Sequence, residues 1–197
     1  MSGPWLAEDS EEREGGGNLL VKHLIKARAV LLSEVVTDKL ARRVTSQLLA
    51  LQGIDDSAPI TVYINSPGGS ADSGFAIYDI LRFVKPPVRT VVTGLCASAA
   101  VLIYLAPPKE RRFCLPSARF LLHQPSTMVR GDATDIAIGA REIISLRERY
   151  NLIVGRETAK TVEQVTKDAD RDFWLSAEDA QKYGLVGRIV HQHGELA

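Results

Sequence analysis

One run constrains the fold more than any other: Ile60-Thr61-Val62-Tyr63-Ile64, broken at once by Asn65-Ser66-Pro67-Gly68-Gly69-Ser70. Five β-branched or aromatic residues in a row favour an extended strand. The polar, glycine-rich hexapeptide ends it. A helix follows, with Ile77, Ile80, Leu81 and Val84 on one face, and Pro86-Pro87 closes it. The unit then recurs: a strand from Val88 to Val92, a turn at Gly94 and a helix behind Ser98. Successive strand–helix units call for parallel strands with helices packed on the sheet, an α/β fold.

The flanking sequence continues the alternation. Ala29-Val30-Leu31-Leu32 reads as a buried strand, and Thr37 as the cap of a helix carrying Leu40, Val44, Leu48 and Leu51. Arg112 to Leu115 and Ala118 to Leu122 are further strands, and a long helix is expected from about Ala133 to Val154. Ser176-Ala177-Glu178-Asp179 has the form of a capping box for a short helix that stops at Gly184, before a last strand from Leu185 to Val190. The reading is a single domain over residues 19–197. Residues 1–18 stand apart: Glu8, Asp9, Glu11, Glu12 and Glu14 precede Gly15-Gly16-Gly17, which suits a flexible acidic tail, a processed pro-segment or a gating element.

Charge narrows the partners. Lys and Arg number 24 and Asp and Glu number 24, so nothing basic invites nucleic acid or an anionic membrane. The apolar run around Val101 to Pro107 is too short to span a bilayer, and the acidic N-terminus does not resemble a signal peptide. Cys96 and Cys114 form no CxxC pair and read as buried thiols in a reducing, cytoplasmic setting, or in an organelle's stroma or matrix.

Ser98 lies among small residues, Gly94-Leu95-Cys96-Ala97-Ser98-Ala99-Ala100, after a strand and before an apolar helix. Small neighbours permit a sharp turn and close approach of substrate, as a nucleophile requires. Serine is a weak nucleophile without a base, an orienting acid and an oxyanion hole. Of four histidines, His123 ends the strand Phe120-Leu121-Leu122 and enters a loop at Gln124-Pro125, a fit place for a general base. His191 and His193 lie in the polar C-terminal segment, and their spacing is poor evidence for metal. Gly68-Gly69 at a strand end can expose backbone N–H groups to a ligand; without a following Gly-Lys-Ser/Thr they do not make a phosphate loop. The acid must come from Asp168-Ala169-Asp170-Arg171-Asp172. A calcium loop is rejected there, because Phe173 occupies the glycine position and Asp179 the glutamate position. Asp172, next to apolar Phe173-Trp174-Leu175, is expected to be partly buried; spacing alone does not choose it over Asp170.

Together these residues resemble the proteolytic subunit of the Clp protease, ClpP. The resemblance runs from about Leu24 to Val190. It is carried by Tyr63-Ile-Asn-Ser-Pro-Gly-Gly-Ser70, Ile77-Tyr78-Asp79-Ile80, Lys85-Pro86-Pro87-Val88, Ala97-Ser98, Arg112-Phe113-Cys114-Leu115-Pro116 and His123-Gln124-Pro125. Ala133-Thr134-Asp135-Ile136, Ala140-Arg141-Glu142-Ile143, Asp170-Arg171-Asp172 and Tyr183-Gly184-Leu185-Val186 add to it. It implies a crotonase-like α/β fold with a protruding strand–helix handle. It implies a serine endopeptidase with the triad Ser98, His123 and Asp172, and an oxyanion hole on the backbone N–H groups of Gly69 and Ala99. Asp170 and Arg171 match a ring–ring contact pair. Leu49, Tyr63, Phe83 and Phe113 match positions that dock a partner. That partner is a hexameric ATP-dependent unfoldase, and it, not this chain, uses ATP; no metal or other cofactor is implied. The substrates are unfolded polypeptides, cut inside two stacked heptameric rings built of this chain alone or mixed with a paralogue.

The departures from the family are local. Cys96, Ala99 and Ala100 stand where it has alanine, methionine and glycine. Ser126-Thr127-Met128 replace Leu-Gly-Gly, a segment that pairs with extended substrate, and Thr61 replaces a docking aromatic. Cleavage preference is expected to differ accordingly. Two other readings share the fold. One is a ring subunit that helps a more active paralogue; the complete hydroxyl, imidazole and carboxylate set disfavours it in non-enzymatic form, but the altered pockets keep it open as a weakly active or partner-dependent subunit of a mixed ring. The other is an acyl-CoA enzyme, which that set and the lack of a recognisable adenine-binding element disfavour.

Overall fold

The computed structural model describes residues 19–126 and 130–196. The acidic tail, Thr127 and Met128 therefore lie outside the described residues. Helix α1 (residues 19–26) leads into β1 (Ala29–Leu32), α2 (Asp38–Ile54), β2 (Ile60–Ser66), α3 (Ala71–Phe83), β3 (Val88–Ala97) and α4 (Ala99–Tyr104). Then come β4 (Arg112–Cys114), β5 (Arg119–Leu122), α5 (Ala133–Thr158), α6 (Val162–Asp168), β6 (Phe173–Ser176), α7 (Ala177–Tyr183) and β7 (Arg188–Ile189). Side-chain oxygens cap the helices as their sequences require: Thr37 accepts from Leu40 N, Ser70 from Ser73 N and Ser176 from Asp179 N.

The strands form one sheet with the path β1-β2-β3-β4-β7, and β5 and β6 branch from β3. Every pairing is parallel except β5 with β6. β3 serves two neighbours on one side. Its first half, Thr90 to Val92, pairs with β4; its second half, Leu95 to Ala97, pairs with β5. This division carries the end of β3 away from β4 and out beside β5, where Ser98 and His123 emerge.

The structure corrects the turn expected at Gly94. β3 runs on to Ala97, with a register shift between the Ile64↔Val92 and Ser66↔Cys96 pairs. Asn65 explains the irregularity. Its Oδ1 accepts from Leu95 N at 2.9 Å, and its side chain fills the space that a Cβ on Gly94 would need. The glycine is a socket for Asn65 and not a strand end. Two further elements differ. The run Phe173–Leu175 is a strand, β6, on the open edge of β5, and residues 162–168 form α6 after the long helix ends at Thr158.

The core lies between the sheet and the helices. α4 is buried along its whole length and packs against β2, β3 and β5. At the far end of the molecule a buried charge pair ties α5 to the sheet. Arg112 is 1% exposed and donates to Pro107 O at 2.7 Å, to Glu157 O at 2.8 Å and to the Glu157 carboxylate. Burial holds the Arg112 guanidinium below its usual range, and Glu157 opposes that effect. Arg82 reaches the same carboxylate at 3.3 Å.

Candidate active site

Ser98 occupies the joint between β3 and α4 with φ 57° and ψ −125°. A positive φ is unfavourable for any residue with a Cβ, and such strain persists only where packing enforces it. The enforcing contacts are visible. Ser98 N donates to Leu121 O at 2.9 Å, which prolongs the β3–β5 ladder by one bond. Val101 N donates to Ser98 O at 2.9 Å and starts the helix. Gly68, itself at φ +86°, presses on the turn from the other side. The Ser98 side chain makes no capping bond and lines a cleft of about 450 Å³.

His123 follows β5 and lines the same cleft. Its Nδ1 lies 3.5 Å from Asp172 Oδ1, with side-chain exposures of 31% and 64%. Asp172 is thus not partly buried, as its neighbours suggested. β6 begins only at Phe173, and the residue before it projects from the edge into solvent. Two bonds hold the acidic loop beside the imidazole: Gln124 N donates to Ala169 O at 2.9 Å, and Gln124 Nε2 to Asp170 O at 3.0 Å. Gln124 was a motif residue without a role in the sequence; its backbone and side chain both clamp that loop.

Gly69 and Ala99 also line the cleft. Gly69 has φ +150°, and a Cβ there would stand 2.3 Å from Val36 O. Val36 N donates to Gly68 O and Ser70 N to Val36 O, which fixes the backbone on both sides of Gly69. Among the described residues the N–H groups of Gly69 and Ala99 have no backbone partner. Two unspent donors and a hydroxyl on one cleft can stabilise an oxyanion. No group of three or more metal-ligating side chains occurs among the described residues. Burial pushes the Cys96 thiol well up and the Cys114 thiol to about 12, so neither offers a thiolate near neutral pH.

The residue pattern, the elbow and the cleft meet a clear counterpart among known proteins. The Clp protease family matches residues 12–193. This chain belongs to the Clp protease family. It is a peptidase by that membership. ATP-dependent Clp protease proteolytic subunit 3 of Rhizobium meliloti is 48% identical over 192 residues, covering 96% of this chain and 98% of the relative. Proteolytic subunit 2 of Gluconobacter oxydans is 54% identical over 175 residues, covering 88% and 78%. A ClpP1 mutant from Listeria monocytogenes has the same fold, with a TM-score of 0.84, 43% identity, and coverage of 90% of this chain and 99% of that one.

The remaining family positions are distributed as follows. Asp170 and Arg171 are both exposed and form no ion pair with each other among the described residues. Tyr63 and Phe113 share one row of the sheet through Val91. Phe113 is buried there with Val190 and Leu196, while Arg188 stacks on its ring at 5.2 Å. The C-terminal turn His193–Leu196 covers it, and Arg89 Nη1 bonds to Leu196 O. Phe113 and Leu196 together line a cleft of about 410 Å³ with Pro59, Val88 and Arg89. Leu49 and Phe83 lie on α2 and at the end of α3, 45% and 78% exposed, outside that cluster. No helix among the described residues is long and apolar enough to cross a membrane.

Proposed function

We propose that the chain is a serine endopeptidase subunit whose nucleophile is Ser98, with His123 as general base, Asp172 as the orienting acid, and Gly69 N–H and Ala99 N–H as oxyanion donors. The observation that carries this reading is the strained Ser98 joint opening on the same cleft as His123, whose far nitrogen faces Asp172. His123 Nε2 takes the Oγ proton as Oγ bonds to the substrate carbonyl carbon. The carbonyl oxygen gains charge between the two N–H groups, each worth about 3 kcal/mol of barrier. The imidazolium returns the proton to the departing amine, and a water repeats the sequence to free the acyl group. Asp172 keeps the Nδ1–H tautomer and stabilises the imidazolium.

The separation of 3.5 Å between Nδ1 and Oδ1 is loose for a hydrogen bond, and the carboxylate is mostly exposed. Assembly supplies what the single chain lacks. Ile136, Ile138 and Ile144 are exposed along the projecting half of α5, a surface suited to another copy of this chain. Two heptameric rings paired through this handle, with Asp170 and Arg171 at the contact, would fix the loop that carries Asp172. The names of the relatives support an ATP-dependent Clp unfoldase as the partner that delivers unfolded polypeptide. The two buried free thiols suit a reducing compartment such as the cytoplasm.

Fluorophosphonate labelling of the purified chain, with native mass spectrometry on the same sample, tests both parts. Ser98 is labelled, Ser98→Ala is not, and double rings are seen. A preparation of intact rings that never reacts would refute the assignment of Ser98. Arg171→Ala is expected to release single rings.

A further inference from the structure

The cleft beside Ser98 carries a charge that peptide hydrolysis does not use. Among the described residues Asp72 is the one carboxylate that lines it, and neither lysine nor arginine lines it. Helix α3 sets Asp72 there. Ser70 caps the helix by accepting from Ser73 N, so Asp72 falls in the first turn, three residues after Gly69. Phe75 follows at i+3 on the same helix face and lines the cleft too. Asp72 is exposed and enters no ion pair among the described residues. An acid in the first turn suits the helix dipole at any angle around the axis, so the dipole does not account for its place on the cleft. The other polar groups do not cancel it. Ser70 Oγ is engaged as the cap, and Ser126 offers a neutral hydroxyl that does not select by charge. Asp172, 3.5 Å from His123, adds charge of the same sign. Arg149 is the opposing charge: its guanidinium lies on the Phe75 ring at 4.2 Å, but it does not line the cleft.

We propose that Asp72 is a specificity-determining residue: its carboxylate favours substrates with lysine, over an uncharged side chain of the same shape, on the acyl side of the cut bond. That side chain hangs from the carbon bonded to the attacked carbonyl, so it enters the cleft that holds Ser98. Phe75, Leu102, Ile143 and Leu146 give the cleft an apolar wall. The lysine methylenes lie along that wall while the ammonium stays in water beside the carboxylate. The attraction is that of an exposed pair, so it is modest and weakens with salt. The proposal rests on the reading of Ser98 as the nucleophile.

The experiment compares the full chain with Asp72→Asn and Asp72→Glu. Two peptidyl phosphonate esters are used that differ only in a lysine or norleucine side chain next to the phosphorus. A simple fluorophosphonate without such a side chain reports on Ser98 alone. The expected result is that Asp72→Asn still reacts with the fluorophosphonate while its lysine-to-norleucine ratio of labelling rates falls about fivefold, the size of one exposed ion pair. Asp72→Glu keeps most of the ratio, and added salt lowers it in the wild type but not in Asp72→Asn. Fluorophosphonate labelling with an unmoved ratio overturns the proposal and leaves Ser98 as the nucleophile. Loss of all labelling in both variants makes Asp72 a structural support and also overturns it. A wild-type chain that no reagent labels overturns both readings.

Discussion

Gly68 lies directly against Ser98: a Cβ on Gly68 would stand 2.7 Å from the serine Cβ and 2.5 Å from Ala97 O. Neither neighbour can yield, because Ala97 O is backbone and Ser98 is already held at positive φ. Gly68→Ala is therefore expected to cost more than about 2 kcal/mol from strain and contact together. The relief available is a shift of the elbow, which changes where Oγ sits in the cleft it shares with His123. Fluorophosphonate labelling is expected to fall by at least about a hundredfold, since small misplacements are costly in catalysis. A thermal melt separates this from unfolding. A folded variant that labels at the wild-type rate would show that the contact does not set the elbow.

In the proposed triad the Asp172 carboxylate acts through His123 and touches no substrate. Asp172→Asn keeps the shape but offers an amide where the imidazole needs an acceptor. The expected result is intact rings with peptidase rate lowered on the order of a thousandfold at neutral pH, through the wrong tautomer. Rate against pH, together with native mass spectrometry, checks both halves. An unchanged rate would transfer the role to another acid, Asp170 being the nearest in sequence.

Much of this site could be read from residues alone, and the exceptions have physical causes. The strand–turn–helix units around Asn65–Ser70 and Ser98 follow from local pattern, because turn residues and helical stripes act over a few positions. The continuation of β3 through Gly94 does not, since it depends on the Asn65 side chain reaching across from the neighbouring strand. β6 is short, half exposed and paired only to β5, so its pattern carries little weight until β5 is placed. Apolar sequence neighbours do not bury Asp172, whose side chain is 64% exposed. Side chains along β6 alternate between faces, so a buried Leu175 says nothing of the residue that precedes the strand. The packing of Leu196 on Phe113 brings in the far end of the chain, beyond the reach of local pattern.

An acid-sensitive contact closes the loop after α2. The Asp55 carboxylate accepts from Ser57 N at 2.8 Å, Ser57 Oγ at 2.7 Å and Ala58 N at 3.0 Å. These bonds, the Ser57 N–H first, lower its pKa from 3.8 to about 2. The folded value lies below the unfolded one, so the contribution to stability is complete above about pH 4 and is lost as pH falls toward 2. Asp55→Asn is expected to flatten the pH dependence of stability across that window and to leave it unchanged above. Denaturant melts at a series of acid pH values measure this. An identical acid slope in both proteins would remove Asp55 from the account.

Glu157 is the hub of the buried charge cluster, meeting Arg112, Arg82, Arg156 and the Tyr78 hydroxyl. Glu157→Ala leaves the Arg112 guanidinium, 1% exposed, without its counter-charge. Breaking a buried pair on one side costs about 3–5 kcal/mol, because the remaining charge stays desolvated. Arg112→Met should cost less. It withdraws the buried charge altogether, and the Glu157 carboxylate keeps Arg82 and Arg156 at 3.3 and 3.1 Å. The order of stability expected from chemical melts is wild type, then Arg112→Met, then Glu157→Ala. Because the cluster ties the end of α5 to the sheet, Glu157→Ala should also weaken ring pairing while labelling of Ser98 in the surviving rings persists. If Glu157→Ala melts with the wild type, the cluster is a surface ornament of the fold and α5 is held by apolar packing alone.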